Sequence, residues 1–305
     1  MNELDETDDG RVVAAVKEYM RMLEEGNAPD RDAYLRDHAE IADELRPSLE
    51  GLALVHRAAE PKPEDPLVSP DSEFTAQPIG DFQIIGELGR GGMGVVYEAI
   101  QLSLGRHVAL KVLPFASALD EVRLQRFRNE ALTAGRLRHP NIVPIYQVGT
   151  AADSHVPYIA MALIEGINLT DLLAKTGRLP SPLACALLEP IARALDFAHR
   201  AGVVHRDVKP SNILLQPVDD PSNVDLQISV LEPSFQPLLS DFGVARAFNA
   251  PELTAIGQTV GTPAYMAPEQ ASGNTDIDGR SDIYALGAVL YRSVVGHLPY
   301  SGCLL

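Results

Sequence analysis

The chain has 305 residues, 46% of them hydrophobic, and a formal net charge of −17, enough material for one large core or two lobes plus a small appendage. With 25 basic against 42 acidic side chains it lacks the basic surplus that nonspecific nucleic-acid binding requires. The longest apolar run, Ile283 to Tyr291, is too short to span a bilayer, and the amino terminus is acidic where a secretory signal would be basic; Cys185 and Cys303 show no pairing or metal spacing, so a soluble, cytoplasmic chain is expected.

The acidity is uneven. Residues 1–80 carry 20 acidic and 8 basic side chains, a net of −12, which leaves −5 for residues 81–305, so two modules are expected. In "VVAAVKEYMRMLEEG" the residues Val12, Val16, Tyr19 and Leu23 recur on one helical face, and Gly26 offers a stop. A second helical pattern begins near Asp30 and carries Ile41, Leu45, Leu49 and Leu52, with Pro47 a break or kink. Residues 1–60 therefore read as an acidic helical extension that docks or solubilises. The proline- and acid-rich residues 61–80 read as a linker, and residues 81–305 as the main domain.

That domain opens with "ELGRGGMGVVYEA", in which Gly89, Gly91 and Gly94 fit G-x-G-x-x-G. The spacing alone is equally compatible with a plain turn and a phosphate cradle. A dinucleotide fold would run from the glycines into a helix and place an acid about twenty residues on. Here Val95, Val96 and Tyr97 are strand formers, an "LSLGR" turn follows, and "RHVALKVL" alternates as a second strand bearing Lys111. The glycines thus sit in a hairpin, and a lysine suits phosphates.

Further along come a helical "RFRNEALTAGRL" with Glu130, then "HRDVKPSNILL", "SDFGVAR", "GTPAYMAPEQ" and "SDIYALGAVLY". Together with the glycine hairpin and "HVALKVL", these segments in this order resemble the serine/threonine protein kinases, bacterial ones in style, from Asp81 to the last residue. The resemblance implies an α+β fold of two lobes, a β-rich N-lobe with its hinge (81–164) and a mainly helical C-lobe (165–305). It implies ATP as co-substrate, Mg²⁺, and protein substrates with serine or threonine.

It also implies roles. Leu88, Gly89, Arg90, Gly91, Gly92, Met93, Gly94 and Val95 would form the lid over the nucleotide. Val96, Ala109 and Leu214 would complete the adenine walls with Leu88, and the backbone of Ala162 and Ile164, past a gatekeeper Met161, would face the adenine edge. Lys111 would neutralise phosphates and Glu130 would hold that lysine. Asp207 would accept the substrate proton, Lys209 would screen the moving charge, and Asn212 and Asp241 would bind magnesium, with Phe242 packed inward and Gly243 allowing a turn. His205 would buttress the core, and the other histidines show no ligand spacing. Asp282 would hold the catalytic-loop backbone, Thr262 would contact that loop, and Arg206 would meet a phosphorylated Thr254 or Thr259.

Two departures stand out. Asn212 and Asp241 are 29 positions apart, roughly twice the family's usual gap, so residues 216–237 are expected to enlarge a surface hairpin. The sequence also stops soon after the helix that starts near Ser281, where the family continues, so the C-lobe is expected to be incomplete. Glu269 would then lack an arginine partner, and the apolar "IYALGAVLYRSVV" helix would need a covering partner or leave the chain aggregation-prone. A catalytically dead scaffold fragment and a small-molecule phosphotransferase are the alternatives. The first leaves the full catalytic set unexplained, and the second should lack "GTPAYMAPE".

Overall fold

The computed structural model describes residues 8–24, 27, 29–43, 45–46, 49, 78–91, 94–113, 121–150, 157–218, 234–242, 263–274 and 276–300. The linker as far as residue 77, Gly92, Met93, Gly243, Thr254, Thr259, Thr262 and Cys303 lie outside them. The chain divides into two compact units, Met1–Arg128 with Ile145–Leu163 and Asn129–Pro144 with Ile164–Leu305.

The first unit begins with α1 (Asp8–Glu24) and α2 (Arg31–Asp37). Val12, Val16 and Tyr19 are buried, as their 3.6-residue recurrence requires, and Ile41, Leu45 and Leu49 join them. Asp30 caps α2, its Oδ1 accepting from the backbone N–H of Asp32 and Ala33 at 3.1 Å each. The Tyr34 hydroxyl donates to Ala15 O at 2.9 Å and so ties the two helices together; burial pushes its pKa up to about 12.

The same unit holds a five-stranded antiparallel sheet of β1 (Phe82–Gly91), β2 (Gly94–Gln101), β3 (Arg106–Val112), β4 (Ile145–Thr150) and β5 (Pro157–Ala162). Its order is β1-β2-β3-β5-β4, which makes β3 the central strand. The expected alternation along β3 is correspondingly lost in burial, since every residue from Val108 to Val112 is buried. One sheet face closes over Phe82, Ile84, Val95, Tyr97, Ala99, Leu110 and Tyr158.

The second unit is mainly helical. Its elements are α4 (Leu169–Thr176), α5 (Ser181–Arg200), the four-residue α6 (Pro268–Ala271) and α7 (Gly279–Val295), with a small sheet of β6 (Ile167–Asn168), β7 (Ile213–Val218) and β8 (Ser234–Leu239). The remaining helix, α3 (Glu121–Ala134), precedes Asn141, whose side chain donates to Pro237 O at 2.8 Å. Val143 N–H in turn donates to Leu239 O at 3.0 Å. Along α5 the residues Leu187, Ile191, Ala194, Leu195 and Ala198 form a buried stripe that packs against α7. On α7 itself Ala285, Ala288 and Val289 are buried, while Ile283, Tyr291 and Val295 remain exposed. Among the described residues no helix is long and apolar enough to cross a membrane.

Candidate active site

Two groups of predicted residues are each held by their own unit. In the sheet, Lys111 pairs with Val96 on β2 and Ile159 on β5, while Ala109 pairs with Glu98 and Met161. Directly opposed residues, and residues two apart, share a face, so Val96, Ala109, Lys111 and Met161 line one face together. Lys111 is only 7% exposed. Val95 departs from its expected place: it is 1% exposed and sits in the core with Tyr97, because strand alternation turns it away from the Val96 face, so only its backbone remains on offer to a ligand.

The glycines divide in the same way. A side chain at Gly89 would meet nothing within 4 Å, whereas a Cβ on Gly94 would lie 2.1 Å from the backbone oxygen of Val112, at a φ of +151°. Gly94 is therefore required by the packing of β2 on β3 whether or not a phosphate binds. Leu88, at 51%, is exposed, and the Arg90 guanidinium donates to the Glu87 carboxylate at 2.7 Å.

In the second unit, a loop between α5 and β7 gathers Asp207, Lys209 and Asn212. Lys209 Nζ lies 2.8 Å from Asp207 Oδ2, and Asn212 Nδ2 donates to the Asp207 backbone oxygen at 2.7 Å and to Oδ2 at 3.2 Å. Among the described residues, these donors fall on Oδ2 rather than Oδ1. Ser240 N–H donates to Asn212 O at 2.9 Å, which joins this loop to the strand end that precedes Asp241. Two non-glycine residues take positive φ here, Arg206 at 69° and Asp241 at 66°. Such conformations cost about 1–3 kcal/mol each and persist only where neighbours over-determine them.

At Arg206 the neighbours are identifiable. Asp282 of α7, 1% exposed, accepts from Arg206 N–H through Oδ1 at 2.7 Å and from His205 N–H through Oδ2 at 2.8 Å. His199, near the end of α5, donates through Nε2 to the same Oδ2 at 2.7 Å. Sequence reasoning missed His199, whose partner lies 83 positions away. His205 is fully buried, and its Nδ1 accepts from Asp207 N–H at 3.2 Å. That bond puts the proton on Nε2, which donates to Ser240 O at 2.7 Å. Its ring meets Phe242 edge-on at 4.5 Å, so the packed, bonded imidazole buttresses the loop.

Glu130 lies half-buried on α3, and Leu214 and Ile164 are half-buried in the second unit. Glu269 departs from the expected orphan. It is half-buried and accepts from the Ser281 hydroxyl, a bond that holds its carboxyl below the usual carboxylate range.

A strand-borne buried lysine, a carboxylate flanked by lysine and asparagine, and a backbone clamped by a distant aspartate fit one description. Residues 82–303 match the family model for the protein kinase domain. The chain belongs to the protein kinase family. This kinase domain is 39% identical over 226 residues to the serine/threonine-protein kinase PknA of Mycobacterium tuberculosis, covering 73% of this chain and 48% of that protein. It is 43% identical over 224 residues to PknE of the same organism, covering 73% and 36%. It thus spans less than half the length of these relatives. Among solved structures, the M. tuberculosis PknI kinase domain superposes with a TM-score of 0.57 at 30% identity, over 74% of this chain and 79% of that one. Membership of the family implies use of ATP, and the fold is that of the protein kinases.

Proposed function

We propose that this kinase domain transfers the γ-phosphate of ATP to serine and threonine hydroxyls of proteins. The observation that carries the reading is the Asp207 carboxylate, with Lys209 and Asn212 both directed at Oδ2. With that oxygen neutralised, Oδ1 is the base toward which a substrate hydroxyl would present its proton. Lys209 sits close enough to screen negative charge on the moving phosphoryl group. Lys111, fixed by strand pairing on both sides, would neutralise phosphate oxygens of ATP, and Glu130 would steady it.

The donor set suits Mg²⁺. Asn212 commits both amide hydrogens to Asp207, which makes its oxygen the ligand atom, and Asp241 adds a carboxylate. Two hard oxygens with phosphate and water completing the shell match this ion's habits, and among the described residues no cluster of three His, Cys, Asp or Glu offers another site. When bound, the ion would neutralise charge on the β and γ phosphates. Gly89 to Gly94 would cover the phosphates, and Val96, Ala109 and Leu214 would face the adenine.

A radiolabelled-phosphate transfer assay on a generic protein substrate, with products mapped by mass spectrometry, tests the reading. Wild type should label serine and threonine, Asp207→Asn should lose about 10²–10⁴-fold in rate while still binding ATP, and Lys111→Met should also be impaired. Stoichiometric labelling by Asp207→Asn would remove that residue from its role. ATP binding without any transfer by wild type would favour a scaffold module.

A further inference from the structure

Asp282 accounts for one side of the strained Arg206 peptide, its N–H. The other side is held by a residue no motif reading singled out. Gln270, in the short helix α6, donates through Nε2 to the backbone oxygen of Arg206 at 2.9 Å, and its Oε1 accepts from Ala267 N–H at 3.3 Å. Only one orientation of the amide satisfies both bonds, since an N–H must meet an oxygen and a carbonyl must meet the NH₂ group.

We infer that Gln270 is a positioning residue for the reaction: with Asp282 it clamps Arg206 from both sides, and it fixes the direction in which the following residue, Asp207, presents its carboxylate. The inference rests on the kinase reading above. Its physical basis is local. A non-glycine residue at φ 69° drifts toward the ordinary region unless restrained, and the peptide that follows it is held on its N–H by His205 Nδ1 at 3.2 Å, a longer bond than those to Asp282, which leaves its carbonyl to be fixed from the other side. Asp207 begins at that peptide. Gln270 holds that carbonyl with a group anchored through Ala267 to α6, so the end of the segment bearing "GTPAYMAPE" and the catalytic loop are set together. Glu269, next in sequence, is anchored separately to Ser281, which keeps α6 in place when Gln270 is altered.

Two nearly isosteric variants of the full chain test the clamp. Gln270→Glu keeps an acceptor for Ala267 N–H but sets a carboxylate against the Arg206 oxygen, and Gln270→Met removes both bonds. Both should lower kcat for phosphate transfer about ten- to a hundredfold, the scale of a small misplacement of a reacting group. The KM for ATP and the stoichiometry of nucleotide binding should stay within about twofold, because the nucleotide contacts are untouched. A merely structural role would instead reduce the fraction of chains that bind nucleotide and leave kcat per bound site intact, and that result overturns the proposal. Hydrogen exchange of the Arg206 and Asp207 amides supplies a readout independent of activity, expected to be faster in both variants and unchanged along β3. If wild type transfers no phosphate, the kinase reading fails by itself and the exchange result alone decides the clamp. Unchanged exchange at those amides refutes it.

Discussion

Lys111 and Asp207, the two residues on which the proposed reaction rests most, are placed by opposite means. Lys111 sits in the central strand of a sheet, and its position follows from the backbone ladder to β2 and β5. Asp207 sits in irregular chain and is placed by side chains reaching backbone: Asp282 to His205 and Arg206, Asn212 to Asp207 itself. A ladder distributes its hold over many equivalent bonds, so no single side chain decides where Lys111 lies. The loop concentrates its hold in a few buried groups from distant sequence, so one substitution can displace it.

The largest expected effect follows from that concentration. Asp282→Ala leaves two buried backbone N–H groups and His199 without their acceptor, at about 1–3 kcal/mol for each unsatisfied group, against about 5–15 kcal/mol for a whole domain. Counting the two backbone groups alone, since the partly exposed His199 can turn to water, urea denaturation should show a loss of about 2–6 kcal/mol, and phosphate transfer should collapse with it. An undiminished stability would break the comparison.

Next comes the one place where the sheet is as brittle as the loop. Gly94→Ala puts a methyl group against the Val112 carbonyl, which cannot yield without opening the β2–β3 ladder, and it does so at a φ that L residues rarely adopt. A loss of about 3 kcal/mol is expected by the same measurement. His199→Leu sharpens the comparison within the loop, since it removes one donor to Asp282 while the backbone donors remain. About 1–2 kcal/mol and a moderate fall in kcat are expected. The smallest effect belongs to Gly89→Ala, where open space receives the methyl group. Stability should stay within about 0.5 kcal/mol, so any rise in the KM for ATP would report on nucleotide contact alone.

Much of this was legible in sequence, for reasons that track the two modes of placement. Strand pattern put the glycines in a hairpin and Lys111 on the next strand, and helical recurrence found Val12, Val16 and Tyr19. The motif order named Asp207, Asn212 and Asp282. What escaped was pairwise and distant. A lone histidine near a helix end carries no spacing signal, and His199 acquires meaning only when α5 and α7 pack together. Gln270 looks like an ordinary residue until its carbonyl partner is seen. G-x-G-x-x-G could not say which glycine the sheet itself requires, since only the distance to Val112 O singles out Gly94. Val95 was assigned with its neighbours as a block, although strand alternation turns its side chain to the core.

The long interval between Asn212 and Asp241 has a practical consequence. β7 and β8 pair in register from Ile213↔Leu239 out to Val218↔Ser234, so the chain leaves and re-enters at adjacent points, and Ser240 is bonded back to Asn212. Closing a longer connection between pinned ends costs only about 0.6 kcal/mol per doubling of its length. The interval between Val218 and Ser234 is thus a natural splice point. A fluorescent reporter or affinity handle inserted there would join the chain beyond the Val218↔Ser234 pair, with the whole β7–β8 ladder between it and Asn212 and Asp241.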